Sequence, residues 1–307
     1  MAKLIAIIGP TGIGKTKLAI QLALRFGGEV INADSRQIYR YMDIGTAKPN
    51  KEELAAVPHH LIDIIDPNQE FSLAEYQKLT HDAVKDIQAR GRVPFLVGGS
   101  GLYVWAVLEG WIVPGVAPDV AYRRELEKKA GMGQGADLYQ ELQQIDPAAA
   151  EKIDPHNIRR VIRALEVNKL ADSTFSQLQK KQAPPFQSLI IGLTADRKEL
   201  YRRADERADN MLKHGFIEEV EVLLKKGYTL SLSSMSSIGY REIAMYLQGG
   251  MTLEEAVYKI KTGTHRFIRH QYAWFRLKDE RIKWFDVDNM DINDIAGSVM
   301  QFVNSKP

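Results

Sequence analysis

The chain has 307 residues, 45% of them hydrophobic and 26% charged, a composition that excludes disordered, collagen-like and low-complexity polypeptides. Its 41 Lys+Arg stand against 39 Asp+Glu for a net charge of +2, so nucleic acid could be held only by a local basic patch. With 0 Cys, disulfides, thiolate metal sites and thiol nucleophiles are excluded, which fits a reducing compartment.

Taken in chain order, the first hundred residues alternate short apolar runs with helical periodicity. Residues 4–8, 30–31, 61–65 and 93–97 read as buried strands. Residues 15–25 and 72–90 read as amphipathic helices, the second opening on the capping box Ser72-x-x-Glu75. This alternation predicts an α/β fold, a P-loop NTPase-like parallel sheet flanked by helices, with its βα turns gathered at the carboxyl edge where ligands bind. A Gly/Pro-rich stretch over 110–118 changes the character of the chain, and the patterns from Ala121 to about Lys181 are helical: 122–129, 138–144 and 158–170. The division expected is a core of 1–114 and 186–307 with a mostly helical insertion domain over 115–185. After it come a core strand at 189–193, helices at 198–214, 216–225 and 253–277, a short strand at 282–285 and a last helix near 292–303. No apolar run is long enough to cross a bilayer, and the start of the chain lacks a long apolar core with a cleavage-type site. A cytoplasmic protein without membrane contact is expected.

Gly9-Pro10-Thr11-Gly12-Ile13-Gly14-Lys15-Thr16 satisfies G-x-x-x-x-G-K-[ST] between an apolar strand and a helix. The glycines let backbone N–H groups turn inward around a phosphate, and the helix N-terminus adds the positive end of its dipole. Lys15 would meet the outer phosphate, and the Thr16 hydroxyl could ligate Mg²⁺. A diphosphate or polyphosphate ligand follows, without its identity. A Walker-B aspartate is not evident, because the 93–97 strand ends in Gly98-Gly99-Ser100-Gly101, although Asp63 could supply a carboxylate. A guanine signature fails at Ala171 in Asn168-Lys169-Leu170-Ala171. Asp34, at the carboxyl edge after the second strand, could bind a metal, take a proton from a nucleophile, or simply cap a helix.

Beyond these motifs the chain resembles the tRNA dimethylallyltransferases, also called tRNA isopentenyltransferases. The resemblance runs in order through residues 9–16, 34–39, Ile44-Gly45-Thr46-Ala47-Lys48-Pro49, His59-His60-Leu61-Ile62-Asp63 and Gly98-Gly99-Ser100-Gly101-Leu102-Tyr103. It continues in residues 157–160 and 163–167, Asp196-Arg197, Ile238-Gly239-Tyr240-Arg241-Glu242 and Gln271-x-x-Trp274-Phe275-Arg276. What it implies is transfer of a prenyl group from dimethylallyl diphosphate to N6 of adenine 37 in tRNA, releasing diphosphate. The P-loop would then hold the diphosphate of the prenyl donor. The exocyclic amine is a poor nucleophile, so a base should help, and Asp34 is the choice. Lys15, Mg²⁺ on Thr16 and an arginine would meet the charge on the leaving group. Arg207 is the arginine favoured by resemblance, with Arg203 one helical turn away as the fallback.

The target adenine must be unstacked to reach a pocket. Asp34, Ser35, Arg36, Gln37 and Ser100 are the candidates near it. Arg123 and the run Arg159, Arg160, Val161, Ile162, Arg163 in the insertion are the candidates for the anticodon stem-loop. A second basic stretch, 259–283, interleaves Lys259, Lys261, Arg266, Arg269, Arg276, Lys278, Arg281 and Lys283 with Tyr272, Trp274 and Phe275. Its charges suit RNA, whereas its rings suit core packing. The sequence departs from the resemblance at His265 and His270, where Arg or Lys is expected, and at Gly12 and Ile13, where Ala and a small polar residue are. The seven histidines do not assemble a metal-ligand spacing. The partners implied are tRNA and dimethylallyl diphosphate, with Mg²⁺ as cofactor, and the chain is expected to be a monomer. The competing readings are a P-loop small-molecule kinase using ATP, and an RNA-binding module with a structural nucleotide.

Overall fold

The computed structural model describes residues 2–114, 116, 119–178 and 180–305. The chain divides into two compact units, one of Met1–Leu108 with Pro184–Pro307 and the other of Glu109–Ala183. The second unit begins a few residues before the 115–185 segment marked by the change in sequence pattern and ends just short of its close.

The first unit is built on six parallel strands: β1 (Ala2–Ile8), β2 (Gly28–Asn32), β3 (His59–His60), β4 (Val93–Gly98), β5 (Phe186–Thr194) and β6 (Ile282–Asp286). Their order across the sheet is β3-β2-β4-β1-β5-β6. Leu4, Ile5, Ala6, Ile7 and Ile8 are all 0% exposed, as a strand covered on both faces must be. Register pairs Ile5 with Phe95 on one side of β1 and with Leu189 on the other. Helices Lys15–Phe26 and Ile292–Asn304 contribute Leu18, Leu22, Ile295 and Val299 to the core against the sheet. A second apolar cluster gathers Ile38, Phe216, Val220, Tyr240 and Ile260 around helices Phe216–Lys225, Tyr240–Leu247 and Leu253–Trp274.

Four elements differ from the periodicity reading. Residues 61–65 do not form a strand: only His59 and His60 pair with β2, opposite Val30 and Ile31. Leu61 (φ 63) and Asp63 (φ 56) take the left-handed conformation, which breaks extension. The segment instead turns onto residues 37–40, with Ile64 N donating to Ile38 O (2.9 Å) and Arg40 N to Ile65 O (2.8 Å). The long helix ends at Trp274 rather than 277, because Phe275 leaves helical geometry at φ −109, ψ 82. Helices Gly101–Leu108 and Tyr240–Leu247 are not among the helices the periodicity predicts; in the first, every residue but Leu102 is buried, which leaves no polar face to mark it.

The second unit packs helices Val120–Lys129, Gly135–Ile145 and Ile158–Leu170 around Leu126, Leu138, Leu142, Val161 and Leu165. It is helical except for an antiparallel ribbon at its two ends, where Trp111 pairs with Lys181 and Ile112 with Lys180. Among the described residues, no helix is long and apolar enough to cross a membrane.

Candidate active site

The phosphate loop leaves β1 at Gly9, whose φ of 146 no L side chain adopts readily. A Cβ there would lie 2.6 Å from Leu193 O on β5. Gly14, at φ 93, opens helix Lys15–Phe26 without a side-chain cap and with no acidic residue in the first turn. The first-turn N–H groups are therefore left for an anion. Ile13, 4% exposed, anchors the loop in the core, so the branched residue at this position serves packing. Lys15 Nζ folds back to donate to Pro10 O at 2.8 Å.

A cleft of about 640 Å³ opens over this loop. The loop contributes Thr11, Gly12, Gly14, Lys15 and Thr16, and the end of β2 contributes Asn32, Asp34 and Gln37. Helix Arg197–Lys213 adds Arg203, Glu206, Arg207, Asn210 and Met211, spaced three and four apart as one helix face requires. Lys15 and Arg207 are half-buried, with Lys15 Nζ and Arg207 Nη1 both turned to the phosphate loop. Burial chiefly, and Arg207 in part, lower the Lys15 amine to about 8 against the opposing pull of Asp34. Burial lowers Arg207 as well, again opposed by Asp34. Two desolvated cations facing one carboxylate form a site poised for a multiply charged anion, whose arrival restores the favourable charge balance.

Asp34 is held rigidly. Asn32 Oδ1 accepts from Asp34 N (2.9 Å), while Asn32 Nδ2 donates to Asp34 O and Leu61 O (3.0 Å each). Tyr76 Oη fixes Asn32 in turn by donating to its carbonyl at 3.0 Å. Asp34 Oδ1 accepts from Arg36 N (2.9 Å), and no helix follows, so the helix-cap reading is replaced by a turn. Asp34 Oδ2 takes no protein hydrogen bond among the described residues, and the residue faces the cleft.

Nearby, Ser35 N donates to Ser100 Oγ (3.0 Å), and Gln37 Nε2 donates to Thr46 O (3.2 Å) and Ala47 O (3.0 Å). Arg36 turns away to Ser233 O at 2.9 Å. The two arginines weighed for the diphosphate separate clearly. Arg203 is bound by Glu199 (2.7 Å) and Asp288 (2.5 Å), whereas Arg207 Nη1 donates to Thr11 Oγ1 of the phosphate loop at 3.1 Å.

The remaining candidates lie in the helical unit or along helix Leu253–Trp274. Buried Glu166 accepts from Arg123 Nη2 (2.8 Å), Arg163 Nη1 (2.6 Å) and Asp119 N (2.9 Å), fixing both arginines; Arg159 and Arg160 are exposed. Val161 (0% exposed) and Ile162 (3%) are core residues of that unit and cannot touch RNA from where they sit; a run of five consecutive helical residues necessarily includes the buried face. On the long helix, His265 is engaged by Asp205 (2.8 Å) and stacked on Tyr201 at 4.1 Å, and so serves packing. His270, exposed, meets the Trp274 ring edge-on at 6.4 Å. Arg266, Arg276 and Lys278 are exposed, while Phe275 is 1% exposed in the core.

Two contributors escaped assignment in the sequence. Gln271, 3% exposed, accepts from Thr11 N (2.8 Å) and donates to Gly99 O (3.0 Å), tying the phosphate loop to the turn after β4. Glu219 gathers the backbone of residues 43–45, whose neighbours Thr46 and Ala47 line the cleft.

With this geometry in place, comparison with known proteins is specific. The sequence profile of the family described as IPP transferase matches residues 37–278. A tRNA dimethylallyltransferase of Roseiflexus sp. (strain RS-1) is 50% identical over 98% of this chain and 98% of its own, and one of Thermoanaerobacter sp. (strain X514) is 42% identical over 99% and 98%. Among solved structures, the tRNA isopentenylpyrophosphate transferase of Bacillus halodurans aligns at a TM-score of 0.72 with 44% identity, covering 99% of this chain and 96% of that one. A eukaryotic dimethylallyltransferase acting on tRNA aligns at 0.83 with 27% identity, covering 100% and 81%.

Proposed function

This chain belongs to the IPP transferase family, and from that premise we propose that it transfers the dimethylallyl group from dimethylallyl diphosphate to N6 of adenine 37 in tRNA anticodon loops, releasing diphosphate. The observation that carries the reading is one cleft in which the cations Lys15 and Arg207 face the carboxylate of Asp34. The diphosphate lies on the phosphate loop, with Lys15 and Arg207 meeting the negative charge that grows as the C1–O bond breaks. N6 forms the new bond to C1, and its proton passes to the carboxylate of Asp34, a residue that lines the cleft. Because Asn32 fixes the Asp34 backbone, the base needs little reorganisation.

The donor set suits Mg²⁺ held largely by substrate oxygens. Thr16 lines the cleft at the start of its helix, and no group of three or more His, Asp or Glu among the described residues forms a cage of protein ligands. Bound there, the ion would neutralise leaving-group charge, with Thr16 supplying the protein ligand. Adenine is swung out of the loop to enter, beside Ser35, Gln37 and Ser100. Arg123, Arg159, Arg160 and Arg163 hold the stem-loop phosphates. The lack of cysteine suits a reducing, cytoplasmic setting.

The test is a transfer assay with labelled dimethylallyl diphosphate, Mg²⁺ and unmodified anticodon stem-loops carrying adenine or guanine at position 37. Label only in the adenine loop is expected. No label in either, with ATP consumed on adding small-molecule acceptors, would return the chain to the kinases.

A further inference from the structure

Glu219 lies on helix Phe216–Lys225, outside the chemistry just described, yet its carboxylate organises part of the cleft. Oε2 accepts from Asp43 N (2.9 Å) and Ile44 N (2.7 Å). Oε1 accepts from Gly45 N (3.2 Å) and Tyr240 Oη (2.6 Å). Three consecutive backbone N–H groups converging on one anion make a nest of the kind that binds external anions, here filled by the protein's own side chain. The hold is tight: a Cβ on Gly45 would come within 2.2 Å of the Phe216 ring. Directly beyond it, Ile44 and Ala47 face the cleft and join Val97 and Met211 as its apolar lining. The same loop returns Thr46 O and Ala47 O to Gln37 beside Asp34.

We propose that Glu219 is a positioning residue that sets the apolar wall of Ile44 and Ala47 against which the five-carbon tail of the donor is held. The inference rests on the prenyl-transfer reading and adds to it the residue that shapes the tail site. A charged phosphate loop can hold diphosphate alone, but only a fixed apolar surface rewards the hydrocarbon. Each methylene moved out of water contributes roughly fourfold in affinity, so a seated tail should make dimethylallyl diphosphate bind at least about tenfold more tightly than inorganic diphosphate. In Glu219→Gln the amide presents an NH₂ group where a carboxylate oxygen accepted, setting donor against donor. The loop should then loosen.

The experiment is calorimetric titration of the full chain with dimethylallyl diphosphate and with inorganic diphosphate. Wild type should show the tail preference, and Glu219→Gln should reduce it to within about threefold of unity with diphosphate affinity unchanged. A purely structural role would lower thermal stability and leave the ratio intact, overturning the proposal. Should Glu219→Gln fail to fold, Ile44→Ala, which keeps the clamp, should lose most of the same preference, and a wild-type ratio in that variant overturns the wall. A wild-type ratio near one, with diphosphate still bound, also overturns it. Failure of wild type to bind diphosphate at all would instead sink the functional reading.

Discussion

Gln271→Met removes both hydrogen bonds of the buried amide while keeping nearly its volume. Thr11 N–H and Gly99 C=O then lose their partners, which sit at 2.8 and 3.0 Å in the native chain. An unsatisfied buried polar group costs about 1–3 kcal/mol. Thr11 is half-buried and can recover water, so its share falls at the low end, whereas the bond to Gly99 O is fully enclosed. The sum is roughly 2–4 kcal/mol, a large part of the 5–15 kcal/mol typical of a folded domain. Urea unfolding at constant m-value reads it as a lowered midpoint. Gly99→Ala attacks the same contact from the other side, since a Cβ there would lie 2.2 Å from Gln271 Nε2. The two substitutions destroy one interaction, so the double variant should cost less than the sum of the singles. A midpoint shift below about 0.5 kcal/mol for Gln271→Met, or strict additivity, would refute the bridging role.

The lowered amine of Lys15 gives a pH signature: diphosphate affinity should fall as pH rises through about 8, where the empty site loses its proton, and Lys15→Met should abolish that fall in calorimetric titrations across pH 7–10. Arg207→Ala should lower kcat by roughly 10²–10³-fold, whereas Arg203→Ala, which removes an ion-paired group, should stay within several-fold; the reverse order in steady-state transfer assays would exchange their roles. Asp34→Asn should cost at least about 10²-fold in kcat with tRNA affinity little changed by filter binding, and full activity would remove Asp34 as the base. Glu166→Leu should destabilise the helical unit by about 2–4 kcal/mol, read as faster amide exchange across helix Ile158–Leu170. Burial alone would push the Glu166 carboxyl up, but Arg123 and Arg163 bring it below the usual range. Its contribution is therefore present at neutral pH and is lost as pH falls through that lowered value.

The parts legible in the sequence are those whose partners are close in the chain. The strand, loop and helix around Lys15 form one continuous segment, and the capping box at Ser72 and Glu75 is closed by residues three apart. Asp34 could be placed at the sheet edge because strand period and motif agree. Residues 61–65 look like a strand because an apolar run does not reveal that Leu61 and Asp63 turn left-handed. Val161 and Ile162 stand in an arginine-rich run but belong to the core, because the helix period sorts consecutive residues onto opposite faces. Gln271 and Glu219 carry no local signal, since their partners lie 260, 172 and about 175 residues away. The choice between Arg203 and Arg207 likewise depended on Asp288, which only the fold brings to Arg203.

The small ribbon at the ends of the helical unit bears on how the sheet can be assembled. β1 is flanked by β4, which precedes that unit in the chain, and by β5, which follows it. Joining β5 to β1 therefore means closing a long connection, at an entropic cost that rises by about 0.6 kcal/mol for each doubling of its length. The pairing of residues 111–112 with 180–181 brings the two ends of the unit to the separation of adjacent strands, about 5 Å. Once the helices have folded, the unit no longer adds its contour length to the connection, which is left with residues 99–108 and 184–185. Glu109–Ala183 is thus a closed cassette, exchangeable for a tight turn or for another domain with paired ends without altering the register of β1 against β5.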